Sequence, residues 1–198
     1  MNFIALDLET TGTLPYVDHI VEIAAVLFKS NEVSEVFQTL VNPKMEISPE
    51  ATRINGITNQ MVQSQPVIEE VLESFADFCS DYLIVAHNAT FDFQFLKSAI
   101  EKYKSKAPLG EVLDTYSLAK KALPGLSNYK LGTLVKHLKI EHNTLHRAEQ
   151  DARCCGQLFQ KIINQLRTTN VKQLVQFSGK SALKFPQVYH AHPQLQLL

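Results

Sequence analysis

Carboxylates interrupt apolar segments at three places in this chain of 198 residues. Asp7 and Glu9 lie in FIALDLETTG, Asp92 lies in VAHNATFDFQFL, and His146 and Asp151 lie in HRAEQDA. Each segment alone is a weak signal, but all three lie in order within the length of one domain. Four carboxylates and one imidazole of this kind are the set that two-metal phosphodiester hydrolysis requires. The fold must therefore bring three distant segments to one place.

The composition indicates one globular domain. The chain has 45% apolar residues and is long enough to bury one core. No apolar run approaches the ~20 residues of a membrane span, and the N-terminus has no secretory pattern. Three cysteines without metal-binding spacing are typical of reduced thiols. We therefore expect a cytoplasmic protein.

The charge is distributed unevenly, although the net charge is only −1. Residues 1–96 hold 3 Lys/Arg and 14 Asp/Glu, whereas residues 97–139 hold 9 lysines and 3 acids. Such a split predicts an acidic half that binds metal beside a basic flank that contacts phosphates. The alternative is that the lysines are the solvated faces of amphipathic helices.

The pattern of apolar residues predicts an α/β fold. Strands are expected at 2–8, 18–29, 33–41, 82–86 and 112–115, and helices at about 59–80, 89–103, 116–122, 130–138 and 147–166. Short links make the first three strands antiparallel, and helical crossovers make the last two parallel to the first. The prediction is a mixed five-stranded sheet flanked by helices.

The pattern weakens after Thr168. The segment FSGKSALKFPQVYHAHPQLQLL contains a glycine and two prolines. We therefore divide the chain into a domain at 1–167 and a C-terminal tail at 168–198.

Asp7 and Glu9 are two residues apart on a predicted strand, so both side chains leave the same face. Two unpaired carboxylates cannot form part of an apolar core, and a hard divalent cation resolves the conflict. Ligands that are all oxygen favour Mg²⁺ or Mn²⁺. The alternative is a strand end with two solvated acids.

Asp92 lies one turn into the helix after the YLIVA strand, and Asn88 lies at the junction. Phe91 and Phe95 are i and i+4 and share a helix face that borders Asp92. They either stack on a base or sugar or belong to the core.

His146 and Asp151 are five residues apart, which would leave them ~140° apart on one helix. They converge only if His146 precedes the helix and Asp151 lies in its first turns. Histidine ordinarily titrates near neutral pH, so a loop histidine there suits a general base. The alternative is an ordinary surface histidine.

Other motifs do not complete a site. The Gly179-Lys180-Ser181 triplet resembles the end of a phosphate-binding loop, but Leu174 occupies the position of its first glycine. Asp114, at a predicted strand end, is interpreted as a structural or supporting acid.

At these residues the chain resembles the DnaQ-like 3′–5′ exonucleases of the DEDDh branch, which have the RNase H-like fold. LDLETTG, HNATFD and HRAEQDA correspond to the three family motifs, and the resemblance covers about residues 1–166. It is greatest to the epsilon-type proofreading exonucleases of bacterial replicative polymerases.

The resemblance implies a role for each matching residue. Asp7, Glu9 and Asp151 would hold one divalent cation, Asp7 would also serve a second that Asp92 supports largely through water, and His146 would be the base. Contacts to the terminal nucleotide would come from Leu8, Thr10, Thr11, Glu50 and Asn55, and the positions of Asn88, Phe91 and Phe95 beside Asp92 make them further candidates for substrate binding. Epsilon-like proteins often have histidine where this chain has Asn55.

Three functions remain open on the sequence. The first is a 3′–5′ exonuclease that releases nucleoside 5′-monophosphates from single-stranded or frayed DNA ends, in proofreading or repair. The second is an RNA-trimming enzyme of the same branch. The third is a nuclease-fold subunit without activity, although all five motif residues are present. Residues 194–198, QLQLL, also resemble a peptide that binds a bacterial sliding clamp, so a clamp or polymerase partner is expected.

Overall fold

The computed structural model describes residues 1–141 and 146–187. The described part of the chain contains six strands: β1 (Phe3–Thr10), β2 (Ile20–Lys29), β3 (Glu32–Leu40), β4 (Leu83–Ala86), β5 (Glu111–Asp114) and β6 (Leu183–Lys184). It also contains eight helices: α1 (Pro49–Asn55), α2 (Asn59–Val62), α3 (Ile68–Cys79), α4 (Thr90–Tyr103), α5 (Thr115–Ala122), α6 (Leu131–His137), α7 (Ala148–Leu166) and α8 (Val171–Ser178).

The strands form one mixed sheet in the order β3-β2-β1-β4-β5-β6. β1 pairs antiparallel with β2 and parallel with β4, β2 pairs antiparallel with β3, and β4 pairs parallel with β5. The predicted α/β class and strand directions are confirmed. The predicted count of five strands is wrong, because β6 pairs antiparallel with β5 at the sheet edge.

Helices cover both faces of the sheet. β2 is buried along its whole length except at Lys29, as expected for a strand with a core on each side. On β1, Phe3 and Ala5 face the core that includes α5, α6, α7 and α8, whereas Ile4 and Leu6 face the core that includes α3 and α4. Because side chains alternate along a strand, Asp7 and Glu9 share the face of Phe3 and Ala5 and point toward α7.

The helix α7 approaches the sheet closely because small residues line its contact. A side chain at Gly156 would clash with the ring of Phe28 on β2. Cys154 and Cys155 are also buried there, and both thiols are free. Burial raises the pKa of Cys155 well above its ordinary value, so this thiol is a packing group.

Between β3 and β4 the structure differs from the predicted single helix at 59–80. Pro66 lies between α2 and α3, in keeping with its inability to donate a helical hydrogen bond. The sequence interpretation also missed α1. Its signals were present: Ser48 accepts a hydrogen bond from the Ala51 N–H at 3.1 Å, and Gly56 ends the helix with φ of 74°.

The stretch after Thr168 contains α8 and β6, although its weak patterning predicted a tail. Leu174 and Phe185 are buried in the two cores, so described residues beyond the proposed boundary at 167 contribute to packing. The clamp-like residues 194–198 lie outside the described residues. Within the described ranges, no helix is long and apolar enough to cross a membrane.

Candidate active site

Three carboxylates meet where the end of β1 faces the start of α7. Asp7 and Glu9 come from alternate positions of β1, and Asp151 comes from the first turn of α7. One oxygen from each of the three lies within 4.8 Å of the other two. Asp151 lies 142 positions from Glu9 and 144 positions from Asp7 in the chain, yet the three carboxylates form one group. Such a group fits a divalent cation that is coordinated by oxygen atoms alone.

Asp92 stands beside this group on the first turn of α4. Its side chain is only 3% exposed, and its Oδ1 accepts a hydrogen bond from the Leu8 N–H at 3.1 Å. The bond ties α4 to the residue between Asp7 and Glu9. Asp92 is thus fixed next to the β1 carboxylates.

Burial and neighbouring charges raise the pKa values of Asp7, Glu9 and Asp92. Burial raises the pKa of Asp7 well above its ordinary value, and the charges of Asp92, Asp151 and Glu9 raise it further. Burial, Asp151 and Glu22 raise the pKa of Glu9 from 4.5 to about 7. Burial likewise raises the pKa of Asp92. Such mutual repulsion is what a bound cation would relieve, so the donor set fits a divalent metal.

The raised pKa of Glu9 predicts how metal-free stability depends on pH. A carboxyl with a higher pKa in the folded state binds more protons when folded, so stability falls as pH rises from about 4.5 to about 7. The loss is at most about 3 kcal/mol. Between pH 5 and pH 8, the melting temperature of the metal-free protein should fall relative to that of Glu9→Gln. Burial lowers the pKa of His87, so this residue makes stability rise with pH. His87 is present in both proteins, and its contribution therefore cancels in the comparison. A constant difference between the two proteins would contradict the assigned pKa.

His146 precedes α7, where the sequence geometry requires it. Its φ is 70°, its side chain is exposed, and its N–H donates to Asp151 Oδ2 at 3.1 Å. Because His146 lies in a left-handed turn before the helix, the ~140° angle that would separate it from Asp151 on one helix does not apply. The side chain can therefore reach solvent next to the carboxylates.

Glu22 on β2 is a site residue that the sequence interpretation missed. It is completely buried and is the Cα partner of Glu9 across the β1–β2 pair. Arg147 donates to it from Nη2 at 2.7 Å and from Nε at 3.1 Å. The only local sequence signal was an acid inside the apolar run IVEIAAV.

Asp114 supports the turn before α4, in agreement with its structural interpretation. It accepts hydrogen bonds from the N–H groups of Asn88 at 3.0 Å and Ala89 at 3.3 Å. Lys180 Nζ also donates to it at 2.9 Å. The lysine of the incomplete phosphate-loop motif thus pairs with Asp114, and Asn88 has a left-handed φ of 67°.

Five of the predicted contacts to the 3′ end lie at the end of β1, at the start of the β1–β2 loop and on α1. Leu8 and Thr11 are buried, Thr10 is half-buried, and Glu50 is exposed on the first turn of α1. Asn55 is 3% exposed; its Nδ2 donates to the Thr10 carbonyl at 3.3 Å, and its Oδ1 accepts a hydrogen bond from the Ile57 N–H at 3.0 Å. Asn55 is therefore committed to holding the end of β1.

Phe91 and Phe95 contact each other with ring centroids 4.9 Å apart. Phe95 is 2% exposed and belongs to the core beneath α4, whereas Phe91 is half-buried. The ring surface that a nucleotide could reach at this position belongs to Phe91.

Some lysines of the predicted basic flank have acidic partners. Lys97 lies 3.8 Å from Glu101, and Lys106 pairs with Asp77. Lys120 instead lies over the ring of Tyr116 at 4.6 Å. The flank is thus a mixture of solvated ion pairs and lysines beside aromatic rings.

Known exonucleases and DNA polymerase subunits are similar to this chain. The model of the exonuclease family RNase_T matches residues 4–159. DNA polymerase III subunit epsilon of Treponema pallidum is 35% identical over 187 residues, which cover 88% of this chain and 87% of that protein.

Larger proteins and solved structures match as well. A PolC-type DNA polymerase III of Caldanaerobacter subterraneus is 37% identical over 177 residues; the match covers 89% of this chain but only 13% of that polymerase. The structure of exonuclease X in complex with 5′ overhanging duplex DNA has a TM-score of 0.71 and 30% identity, and the match covers 90% of this chain and 99% of that one.

Proposed function

The chain belongs to the RNase_T family of exonucleases, and we propose on this premise that it is a metal-dependent 3′–5′ exonuclease for DNA. It releases nucleoside 5′-monophosphates from single-stranded or frayed 3′ ends, in proofreading or repair. The observation that carries the proposal is the meeting of Asp7, Glu9 and Asp151, with Asp92 beside them and His146 at the rim.

The carboxylates would hold two divalent cations, Mg²⁺ or Mn²⁺. Asp7, Glu9 and Asp151 would bind one, and Asp7 with Asp92 would bind the other. Bound cations supply positive charge to the phosphate and acidity to the attacking water. The protein's part is to concentrate four acids, three of which have raised pKa values because they are buried beside one another, so that a cation relieves their repulsion once they ionise.

His146 would act as the general base. Its exposed side chain can accept the proton of the attacking water at its imidazole nitrogen, while its backbone is held by Asp151. The phosphorus–3′-oxygen bond breaks as the water oxygen bonds to phosphorus. The 3′-oxygen leaves with the shortened strand and is protonated by solvent.

The surface around the carboxylates suits a single-stranded end. Phe91 offers a partly exposed ring on which a terminal base or sugar can stack, and Glu50 lies exposed on α1. DNA is favoured over RNA because relatives are named as DNA polymerase subunits, and exonuclease X was solved with DNA.

A comparison of substrates tests the proposal. Purified protein is incubated with 5′-labelled single-stranded DNA, single-stranded RNA and primers with a mismatched or a paired 3′ terminus, each with Mg²⁺, Mn²⁺ or EDTA. We expect a ladder of shortened DNA, faster trimming of mismatched than of paired termini, and no reaction in EDTA.

Other outcomes identify the alternatives. Preference for RNA would make the chain an RNA-trimming enzyme of the same family. Absence of hydrolysis on every substrate, with DNA binding retained, would make it a non-catalytic subunit. Release of 5′-terminal nucleotides first would contradict the proposed direction.

We further propose that residues 194–198 bind a bacterial sliding clamp. An extended QLQLL peptide would place its leucines in apolar pockets of the clamp. Deleting these residues should leave hydrolysis of short oligonucleotides unchanged and remove clamp binding in a pull-down. A melting temperature lowered by the deletion, or a full-length protein that never binds the clamp, would contradict this prediction.

A further inference from the structure

A buried acid on β2 reaches across the sheet face to the start of α7. Glu22 is 0% exposed, and its carboxylate receives four hydrogen bonds. Arg147 donates two, the Ala148 N–H donates one to Oε2 at 3.1 Å, and Gln38 Nε2 donates one to Oε1 at 2.8 Å. A planar guanidinium that grips both oxygens fixes orientation as well as distance.

This contact lies where α7 has no cap of its own. Arg147 is the N-cap residue and makes no side-chain cap hydrogen bond. The first N–H groups of a helix need acceptors, and Glu22, 126 residues away from Ala148, provides one. The helix start is therefore fixed by β2, the strand that pairs with the metal-binding strand β1.

The anchored residues are the neighbours of the proposed base. Arg147 follows His146, whose left-handed backbone is held by the bond from its N–H to Asp151. Glu22 and Asp151 thus hold three consecutive residues, 146–148, at two points. Displacing Arg147 would shift His146 and rotate the first turn that carries Asp151.

The rest of α7 has a separate source of stability. Leu158, Phe159 and Ile162 are buried against the sheet, well beyond the first turn. The apolar contact can hold the body of the helix without the ion pair. The effect of the pair is therefore expected to be local to the helix start.

Resting on the proposed function, we propose that Glu22 and Arg147 form a positioning pair that places His146 and Asp151 opposite Asp7 and Glu9. Glu22 is then not a metal ligand, although it lies beside Glu9. Both of its oxygens are already occupied by donors.

Two single variants and their double variant test the pair. Glu22→Gln keeps the size of the side chain and removes its charge, whereas Arg147→Lys keeps the charge and removes the two-pronged contact. Each is expected to lower kcat about 10–100-fold, the scale for groups that orient active-site residues, with KM within about threefold. The double variant should lose no more than the worse single variant, because the two residues act as a unit.

A matched control lies on the same helix. Arg153, one turn along α7, pairs with Glu149 in the first turn at 2.7 Å, so Arg153→Lys alters an ion pair on the same helix without changing the contacts between Glu22 and Arg147. Its kcat should equal that of the wild type. A second readout needs no activity: in the metal-free protein, the Ala148 amide should exchange with solvent at least about tenfold faster in Glu22→Gln, as expected for local opening.

The outcomes separate this inference from the proposed function. If the wild-type protein is inactive, the proposed function is wrong, but the exchange rate of the Ala148 amide still shows whether Glu22 holds the start of α7. An active wild type with unchanged kcat in Arg147→Lys overturns the positioning role. A Mn²⁺ affinity that falls more than about tenfold in Glu22→Gln but not in Arg147→Lys would make Glu22 a ligand and also overturn it. If Glu22→Gln does not fold, the kcat of Arg147→Lys decides alone.

Discussion

Asp7→Ala is expected to abolish metal-dependent hydrolysis and to leave the fold intact. One oxygen of Asp7 lies within 4.8 Å of oxygens of Glu9 and Asp151, and the charges of all three other site carboxylates raise the pKa of Asp7. Its removal takes a ligand from both proposed cations. We expect a loss of ~10³-fold or more in the rate of mononucleotide release, the upper range for losing one group that stabilises transition-state charge.

The same substitution should not lower stability in the absence of metal. At a pH high enough to ionise these acids, whose pKa values burial and mutual repulsion raise, the variant has one carboxylate fewer in the cluster, so repulsion falls. A gain of about 1 kcal/mol would raise the melting temperature by about 2–4 °C in a domain of this size. Mn²⁺ should raise the melting temperature of the wild type and not that of the variant, since only a protein that binds the ion is stabilised by it.

Asp77→Ala is the matched control. Asp77 is an exposed acid on α3 that pairs with Lys106 and belongs to none of the three motifs. This variant should retain the wild-type rate and the wild-type response to Mn²⁺. Wild-type turnover in Asp7→Ala would contradict the assignment of Asp7 as a metal ligand.

Local periodicity accounts for what the sequence predicted correctly. The two-residue period of a strand placed Asp7 and Glu9 on one face, and the structure adds that this face meets α7. The lengths of the connections fixed the strand directions. The angle between His146 and Asp151 on a helix required a break before the helix, and the structure has a left-handed residue there.

Contacts between distant segments account for what was missed. Glu22 looks like a misplaced acid in a strand, because its partner Arg147 lies 125 residues away. Lys180 belongs to the incomplete phosphate-loop motif of the sequence, but in the structure it pairs with Asp114. Neither pair leaves a pattern that local periodicity could detect.

The nucleotide contacts show a second limit of sequence reasoning. A motif position says which residue type stands near the substrate, but not whether its polar atoms are available. Asn55 uses its amide on Thr10 and Ile57, and Phe95 lies in the core. The supported inference for Asn55 is that it holds the end of β1, while Phe91 remains the reachable ring.

His146→Ala is expected to lower kcat by about 10²–10⁴-fold, the usual effect of losing a general base. Metal affinity should survive, because alanine keeps the N–H that donates to Asp151 and the imidazole is not proposed as a ligand. The limb of the pH–rate profile that requires an unprotonated base should disappear. His137→Ala, at an exposed histidine at the end of α6, should change neither quantity.

The left-handed backbone of His146 calls for a second variant. Alanine is disfavoured at a φ of 70°, so His146→Ala could lose activity through its backbone alone. Asparagine tolerates this conformation and cannot act as a base near neutral pH. His146→Asn should therefore lose as much kcat as His146→Ala, with Mn²⁺ affinity in calorimetry close to that of the wild type. Near-normal kcat in His146→Asn would assign the loss to the backbone, and a collapse of metal affinity in both variants would make His146 a ligand instead of the base.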